Sequence, residues 1–236
     1  MNREEIINII TEEQKDQIKQ YDGLHKDKHF LGGPQLSGLM KDGINVGWGQ
    51  TKYKGVSVLQ TAVDLKNWKK IIDKYKPEVF IEMGVAAGGN IVFCKDLMSE
   101  YCENPILIGV DIEDVLHSSA KELKEFEFIK ASTVEESTIN TIKQRIEYHK
   151  NKRVLIHLDD HHKALHVENE LNIYNEIIKS DDIIIVGDTW DEGWYESPFQ
   201  GMVKFMENND NMEIDVETHK TMEMPCNWVF GTLIKK

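Results

Sequence analysis

The chain has 236 residues, 40% of them hydrophobic, which suits one elaborated domain or two small ones around a sizeable core. Its 41 acidic residues against 28 basic ones give a net charge of −13, which argues against nucleic-acid phosphate or an anionic membrane as the main partner. The three cysteines (Cys94, Cys102, Cys226) form no Cys-x-x-Cys, which argues against a disulfide scaffold and a structural zinc and makes a reducing cytoplasm the expected compartment.

Met1 to Ile10 carries acids among its apolar residues, unlike a secretory signal. No apolar run approaches the roughly 20 residues of a spanning helix. Residues 3–20 read as a polar amphipathic helix, with Ile6, Ile7, Ile10 and Gln14 or Ile18 at helical spacing. Residues 21–50, dense in glycine around Pro34, read as loops that act as a lid or binding element; a mobile arm without function is the plain alternative, which Trp48 and Tyr53, asking for burial, oppose. From Val58 a regular alternation begins. A helix over 59–75 leads to a strand at 79–83, and further strands are expected at 106–110, 126–129, 154–158 and 183–186. Helices at 89–101, 113–124, 134–149 and 164–179 separate them, a pattern that predicts a parallel sheet covered on both faces. A helix near 198–209 precedes strands at 212–218 and 228–234, joined by a turn around Pro225 and therefore antiparallel. The fold class is thus α/β, a Rossmann-like doubly wound sheet. Five parallel strands with an antiparallel closing pair is the plan of class I S-adenosylmethionine methyltransferases, whereas nicotinamide-binding domains continue with a parallel strand. The expected division is 1–57 as a helical and loop-rich cap or oligomerisation segment and 58–236 as the α/β domain.

The strands end in glycine or acid, and the carboxyl ends of parallel strands form the ligand crevice of such sheets. Glu82-x-Gly84-x-x-x-Gly88-Gly89-Asn90 is neither G-x-G-x-x-G nor a P-loop. It reads as the loop that takes the methionine moiety of S-adenosylmethionine, with Glu82 near the amino group and Gly84, Ala87, Gly88, Gly89 and Asn90 as the cradle. A tight turn in an unrelated α/β fold would use the same residues. Asp111, with Ile112 beside it, ends the second strand where an acid bonds ribose hydroxyls. Ser132 stands where a polar residue faces adenine, although a helix N-cap explains Ser132 or Thr133 equally well. Asp159, Asp160, His161 and His162 follow the fourth strand and Asp188 the fifth. Adjacent strands lie about 4.8 Å apart, so these carboxylates can share one cation, and oxygen ligands suit magnesium or calcium. One of the histidines is a candidate general base, and a polar loop of helix-capping aspartates is the plain alternative. His162, His166 and Glu170 recur at four-residue spacing, which imitates a metal stripe but reads rather as a solvated helix face, and His157 reads as a packed histidine rather than a ligand. Trp190, Asp191, Glu192, Trp194 and Tyr195 form an acidic aromatic loop suited to a sugar or ring acceptor or, equally, to packing over the sheet edge.

Several of these pieces recur in a fixed order. Trp48, Gly55 to Gln60, Asp64-Leu65, Lys76 to Val79, Glu82-x-Gly84, Gly88-Gly89-Asn90 and Gly109 to Ile112 come first. Leu158-Asp159-Asp160-His161-His162, His166-Val167-Glu168-x-Glu170-Leu171-x-x-Tyr174 and Val186-Gly187-Asp188-Thr189 follow. Across residues 48–190 the set resembles the cephalosporin hydroxylase family. Despite that name, the family is similar to S-adenosylmethionine-dependent, magnesium-assisted O-methyltransferases acting on antibiotic, rhamnosyl and macrolide-sugar hydroxyls. The resemblance implies Asp159 and Asp188 as metal ligands, with Asp159 also near the cofactor and the chemistry, and His162 as general base. Family members often carry an acid where this chain has Gly187, leaving Asp160 or Asp191 to compensate, and a serine where it has Asn90. Relatives assemble through N-terminal helices, so a homo-oligomer built on residues 3–20 is expected. The expected function is O-methylation of a small polyhydroxyl acceptor, a sugar or natural product, with S-adenosylmethionine and Mg2+ as cofactors. The alternatives are an NAD-dependent oxidoreductase on a sugar nucleotide, which the missing G-x-G-x-x-G and the closing strands oppose, and an inactive methyltransferase-like interaction subunit, which Gly187 favours.

Overall fold

The computed structural model describes residues 51–60, 62–189, 196–223, 226–228 and 230–236. The expected helix at 3–20, the loops of 21–50, Trp48, the 190–195 loop with Asp191, and Pro225 lie outside the described residues.

A two-stranded hairpin, β1 (Lys52–Tyr53) and β2 (Val56–Ser57), comes first. It is docked on the main body: Val56 is fully buried, and the Tyr53 hydroxyl donates to Asp96 at 2.7 Å. Helix α1 (Ala62–Tyr75) follows, placing Trp68, Ile71, Ile72 and Tyr75 on one buried face at three- and four-residue spacing. Each such side chain contributes roughly 1.5–3 kcal/mol by leaving water. Pro77 prevents the helix from continuing.

Five parallel strands then alternate with helices. They are β3 (Val79–Met83), β4 (Ile106–Asp111), β5 (Phe126–Lys130), β6 (Val154–Leu158) and β7 (Ile183–Val186). Between them run α2 (Gly89–Met98), α3 (Ser118–Lys121), α4 (Glu136–Tyr148) and α5 (Ala164–Asn175). After β7 come α6 (Pro198–Asn208), β8 (Met212–Ile214), α7 (Val216–Thr221) and β9 (Thr232–Lys235). The seven-stranded sheet has the order β5-β4-β3-β6-β7-β9-β8, with β9 antiparallel to both β7 and β8. The doubly wound sheet with its closing antiparallel pair is the expected one. β3, β6 and β7 are buried along their whole length, as their apolar runs require of strands covered on both faces.

The tail differs from expectation in both of its strands: the one expected over 228–234 is found as β9 at Thr232–Lys235, and helix α7 stands between the pair where only a turn was expected. The strand expected over 212–218 stops at Ile214, because Asp215 caps a helix by accepting from the Thr218 amide at 3.0 Å. Lys74 Nζ at 2.5 Å and the Tyr75 hydroxyl hold the same carboxylate from α1. The expected helix at 113–124 likewise shrinks to the short α3, which starts where His117 Nδ1 accepts from the Ser119 amide.

Candidate active site

The glycine loop leaves β3 at Gly84, whose φ of +86° is a conformation that glycine adopts freely. A Cβ there would also run into the Asp159 carbonyl, so the position demands glycine twice over. The Gly84 amide donates to Val110 O at 2.9 Å and the Asp159 amide to Met83 O at 2.8 Å, which pins the loop between β4 and β6. Asp111 braces the loop from the side. Its Oδ2 accepts from the Val85 and Ala86 amides at 3.0 and 2.9 Å, and its Oδ1 from the Glu113 amide at 3.0 Å.

Beneath the loop lies Glu82, only 2% exposed. Its Oε1 accepts from Asn90 Nδ2 at 2.6 Å and faces His157 Nδ1 at 3.2 Å, while Oε2 has no hydrogen-bond partner among the described residues. Burial pushes the Glu82 carboxyl upward against the opposing pull of His157 and Asn90. Asn90, expected in the cradle, is therefore first of all the amide that steadies this acid.

Asp159 and Asp188 meet around His162. The ring's Nδ1 lies 2.8 Å from Asp188 Oδ2 and its Nε2 3.4 Å from Asp159 Oδ1, and the three side chains offer ligand atoms within 4.8 Å of one another. Burial disfavours the imidazolium, yet the two carboxylates overcome it and raise the ring to about 11. Asp188 adopts φ +52°, a left-handed conformation in which aspartate is better tolerated than most residues. Gln60, buried at 2%, donates from Nε2 to Asp159 Oδ2 at 3.3 Å and accepts from the Trp68 indole at 2.5 Å.

Asp160 points elsewhere. Its Oδ2 accepts from the Thr133 hydroxyl at 2.8 Å and faces His166 Nε2 at 3.1 Å. Glu170 Oε1 lies 3.7 Å from that same nitrogen. The solvated face expected for His166 and Glu170 is not found. Val167, Glu170, Leu171 and Tyr174 all fall on the buried stripe of α5, Glu170 at 0% exposure, and His162 precedes the helix.

One cavity of about 840 Å³ gathers Glu82, Gly84, Gly89, Asn90, Asp111, Ile112, Ser132, Asp159, Asp160, His162 and Asp188 in its wall. Ile112 stays largely exposed at its rim. Ala87 and Gly88 are absent from the lining: Ala87 O accepts from the His117 amide, and Gly88 opens α2 at φ +81°. Neither Ser132 nor Thr133 caps α4, which starts behind Glu135. Three residues of the site had no part in its chemistry assigned from sequence: Gln60, Thr133, read only as a helix cap, and His157, read only as packing. His157 is fully buried, as expected, but it also bridges toward both Glu82 and Asp159, at 3.2 and 3.9 Å. The only signal for it was its place two residues before Asp159 on a strand, hence on the same face.

A family model described as Rhamnosyl O-methyltransferase/CmcI matches residues 45–229. The Rhamnosyl O-methyltransferase of Mycobacterium tuberculosis is 23% identical over 146 residues, 61% of this chain and 59% of that protein. Its counterpart in Mycobacterium leprae is 24% identical over 148 residues, 61% of this chain and 63% of that protein. The alignment thus spans about three fifths of the curated relatives' length. A solved structure of CmcI with Mg and SAM superimposes with a TM-score of 0.63 at 14% identity, covering 81% of this chain and 78% of that one. An O-methyltransferase from Bacillus cereus in complex with SAH gives 0.51 at 11% identity, covering 83% and 86%. At these identities the structural likeness concerns the fold.

Proposed function

The chain belongs to the Rhamnosyl O-methyltransferase/CmcI family, also known as the cephalosporin hydroxylase family, and from that premise we propose that it is an S-adenosylmethionine-dependent, magnesium-assisted O-methyltransferase. Its acceptor is a hydroxyl of a small polyhydroxyl compound, a sugar or natural product. The observation that carries this reading is that Glu82, Gly84, Asp111, Asp159 and Asp188, from four strand ends, border a single cavity.

The residues fit the proposed ligands. Glu82 Oε2 is a buried acceptor without a hydrogen bond, suited to an ammonium group, and the side-chain-free Gly84 admits a close backbone approach. Asp111, fixed by the loop amides and partly exposed, keeps lone pairs for ribose hydroxyls. Asp159 and Asp188 offer the hard oxygen donors that magnesium prefers.

S-adenosylmethionine would supply the methyl group, and a divalent cation on Asp159 and Asp188 would polarise the acceptor hydroxyl. The hydroxyl oxygen would gain the methyl as the sulfur loses it, and His162 Nε2 would take the hydroxyl proton. Asp159 and Asp188 hold the His162 proton in place, and a cation neutralising them would ease its loss and leave the ring able to act as a base. Gln60, donating to Asp159 Oδ2, would hold that carboxylate in place and so help to orient the acceptor. Orientation of this kind contributes several kcal/mol, about 7 or more in well-aligned systems. Residues 21–55 and the 190–195 loop are proposed to cover the acceptor, and residues 3–20 to join subunits. Cytoplasmic residence agrees with the three free, buried cysteines; among the described residues no helix is long and apolar enough to cross a membrane.

The test is calorimetry with S-adenosylmethionine on the folded chain. Binding at micromolar to millimolar ligand is expected, and its absence at millimolar ligand removes the proposal.

A further inference from the structure

Beside the Asp159–His162–Asp188 group lies a second set of donors that shares no residue with it. We infer that Asp160, His166 and Glu170 form a separate site for a divalent transition ion, of the zinc, cobalt or manganese kind.

The spacing of the donor atoms is the first support. His166 Nε2 lies 3.1 Å from Asp160 Oδ2 and 3.7 Å from Glu170 Oε1, and all three ligand atoms fall within 4.8 Å of one another. Donors about 2.1 Å from one ion stand roughly 3.0–3.4 Å apart in octahedral or tetrahedral shells, so only small side-chain adjustments are needed. The second support is independent. Glu170 is fully buried, and neither of its carboxylate oxygens has a hydrogen bond among the described residues. Burial raises this carboxyl to about 7, although His166 and Thr133 pull the other way. A carboxylate taken from water without hydrogen bonds is costly, and a bound cation offsets that cost directly.

The donor chemistry selects the ion. One imidazole with two carboxylates suits zinc, cobalt or manganese better than magnesium, which favours an all-oxygen shell. Supporting contacts are present as well. The Thr133 hydroxyl donates to Asp160, and the Tyr174 hydroxyl donates to Thr133 O at 2.6 Å, fixing the ligand from behind. Thr133, Asp160 and His166 border the large cavity, which gives an ion a way in. An ion here would tie the β6–α5 turn to the first turns of α5, stiffening the wall of the cavity independently of the chemistry at Asp159.

The full chain, freed of metal, is titrated with Co2+ and followed by visible absorption, and bound cobalt is counted after dialysis. Glu170→Gln is expected to lose one equivalent relative to the unaltered chain, while Asp188→Asn keeps that equivalent. Equal stoichiometry in the unaltered and Glu170→Gln chains overturns the site, as does its loss in Asp188→Asn with retention in Glu170→Gln. Because the criterion is the equivalent removed by Glu170→Gln, failure of the methyltransferase reading does not affect it. Should Glu170→Gln not fold, anomalous diffraction from unaltered crystals grown with Zn2+ decides. A peak within about 2.3 Å of all three side chains supports the site, and a direct Asp160–His166 contact with no peak overturns it.

Discussion

Gly187 and Asp159 are in such close contact that a Cβ built on Gly187 would stand 2.6 Å from Asp159 Oδ1 and 3.0 Å from the Leu158 carbonyl. Gly187, where the family resemblance leads one to expect an acid, is thus the residue that leaves room for the Asp159 carboxylate. Absence of an acid at this position is a packing requirement of this chain's Asp159. Gly187→Ala is therefore expected to fold normally, because the atom it meets is the end of a side chain that can swing aside. Stability should change by less than about 1 kcal/mol. Turnover should fall about tenfold or more, since misplacement by ~1 Å can cost up to 10²-fold. Thermal melting beside initial rates checks both; an unchanged rate would show that Asp159 need not stand where it does.

Asp188→Asn removes one of the two carboxylates that flank His162. Turnover is expected to drop roughly 10²–10⁴-fold, the range for loss of effective proton transfer. Cofactor affinity, read by calorimetry, should change less than about threefold, because the contacts proposed for the cofactor, at Glu82, Gly84 and Asp111, do not include Asp188. Activity that survives both chelation and this substitution would remove the metal role.

Glu82→Gln keeps the shape of the buried side chain and deletes its charge. A hydrogen bond to a charged group is worth about 1.5–3 kcal/mol, so affinity for S-adenosylmethionine should weaken on the order of 10- to 150-fold. The folded state should lose little, since burial already disfavours the ionised form of Glu82. An affinity equal to that of the unaltered chain would show that Glu82 serves the fold alone.

His219 gives a prediction about acid. Burial lowers this imidazole to about 4, with Asp215 opposing, and its Nδ1 accepts from the Phe230 amide at 3.3 Å. Between that value and the unfolded one of about 6.5, the unfolded chain takes up a proton that the folded chain refuses. The contribution is therefore complete above pH ~6.5 and is lost as pH falls toward ~4, amounting to roughly 2 kcal/mol lost by pH ~5. His219→Gln should remove this dependence. Urea unfolding of both chains at about pH 7.5 and about pH 5 tests it: the gap between them should shrink by that amount on acidification.

Legibility in the sequence followed burial. β3, β6 and β7 match their expected bounds to the residue, because apolar runs flanked by acid or glycine admit only strands covered on both sides. The tail was misread because Met212, Ile214 and Val216 alternate like a strand, while the Asp215 cap that ends it depends on Lys74 and Tyr75 far away in the chain. Glu170 misled for a similar reason: charge suggested solvent, whereas its position between Val167 and Tyr174 puts it inside. The residues around the cavity were readable since each follows a strand. Gln60 was not, because its role comes from Trp68 and Asp159, contacts that no local spacing reveals.

β3 lies between β4 and β6, so that Glu82 has Gly109 on one side and His157 on the other. The two neighbours reach it through separate crossovers, and Asp188 arrives only after β7 has joined. A fragment that stops before Asp188 lacks one wall of the proposed pocket, and a ribosome must release the residues beyond β7 before that wall can form. Recovery of catalysis after dilution from denaturant would then time the docking of the last parallel strand, making turnover a clock for assembly as well as a measure of chemistry.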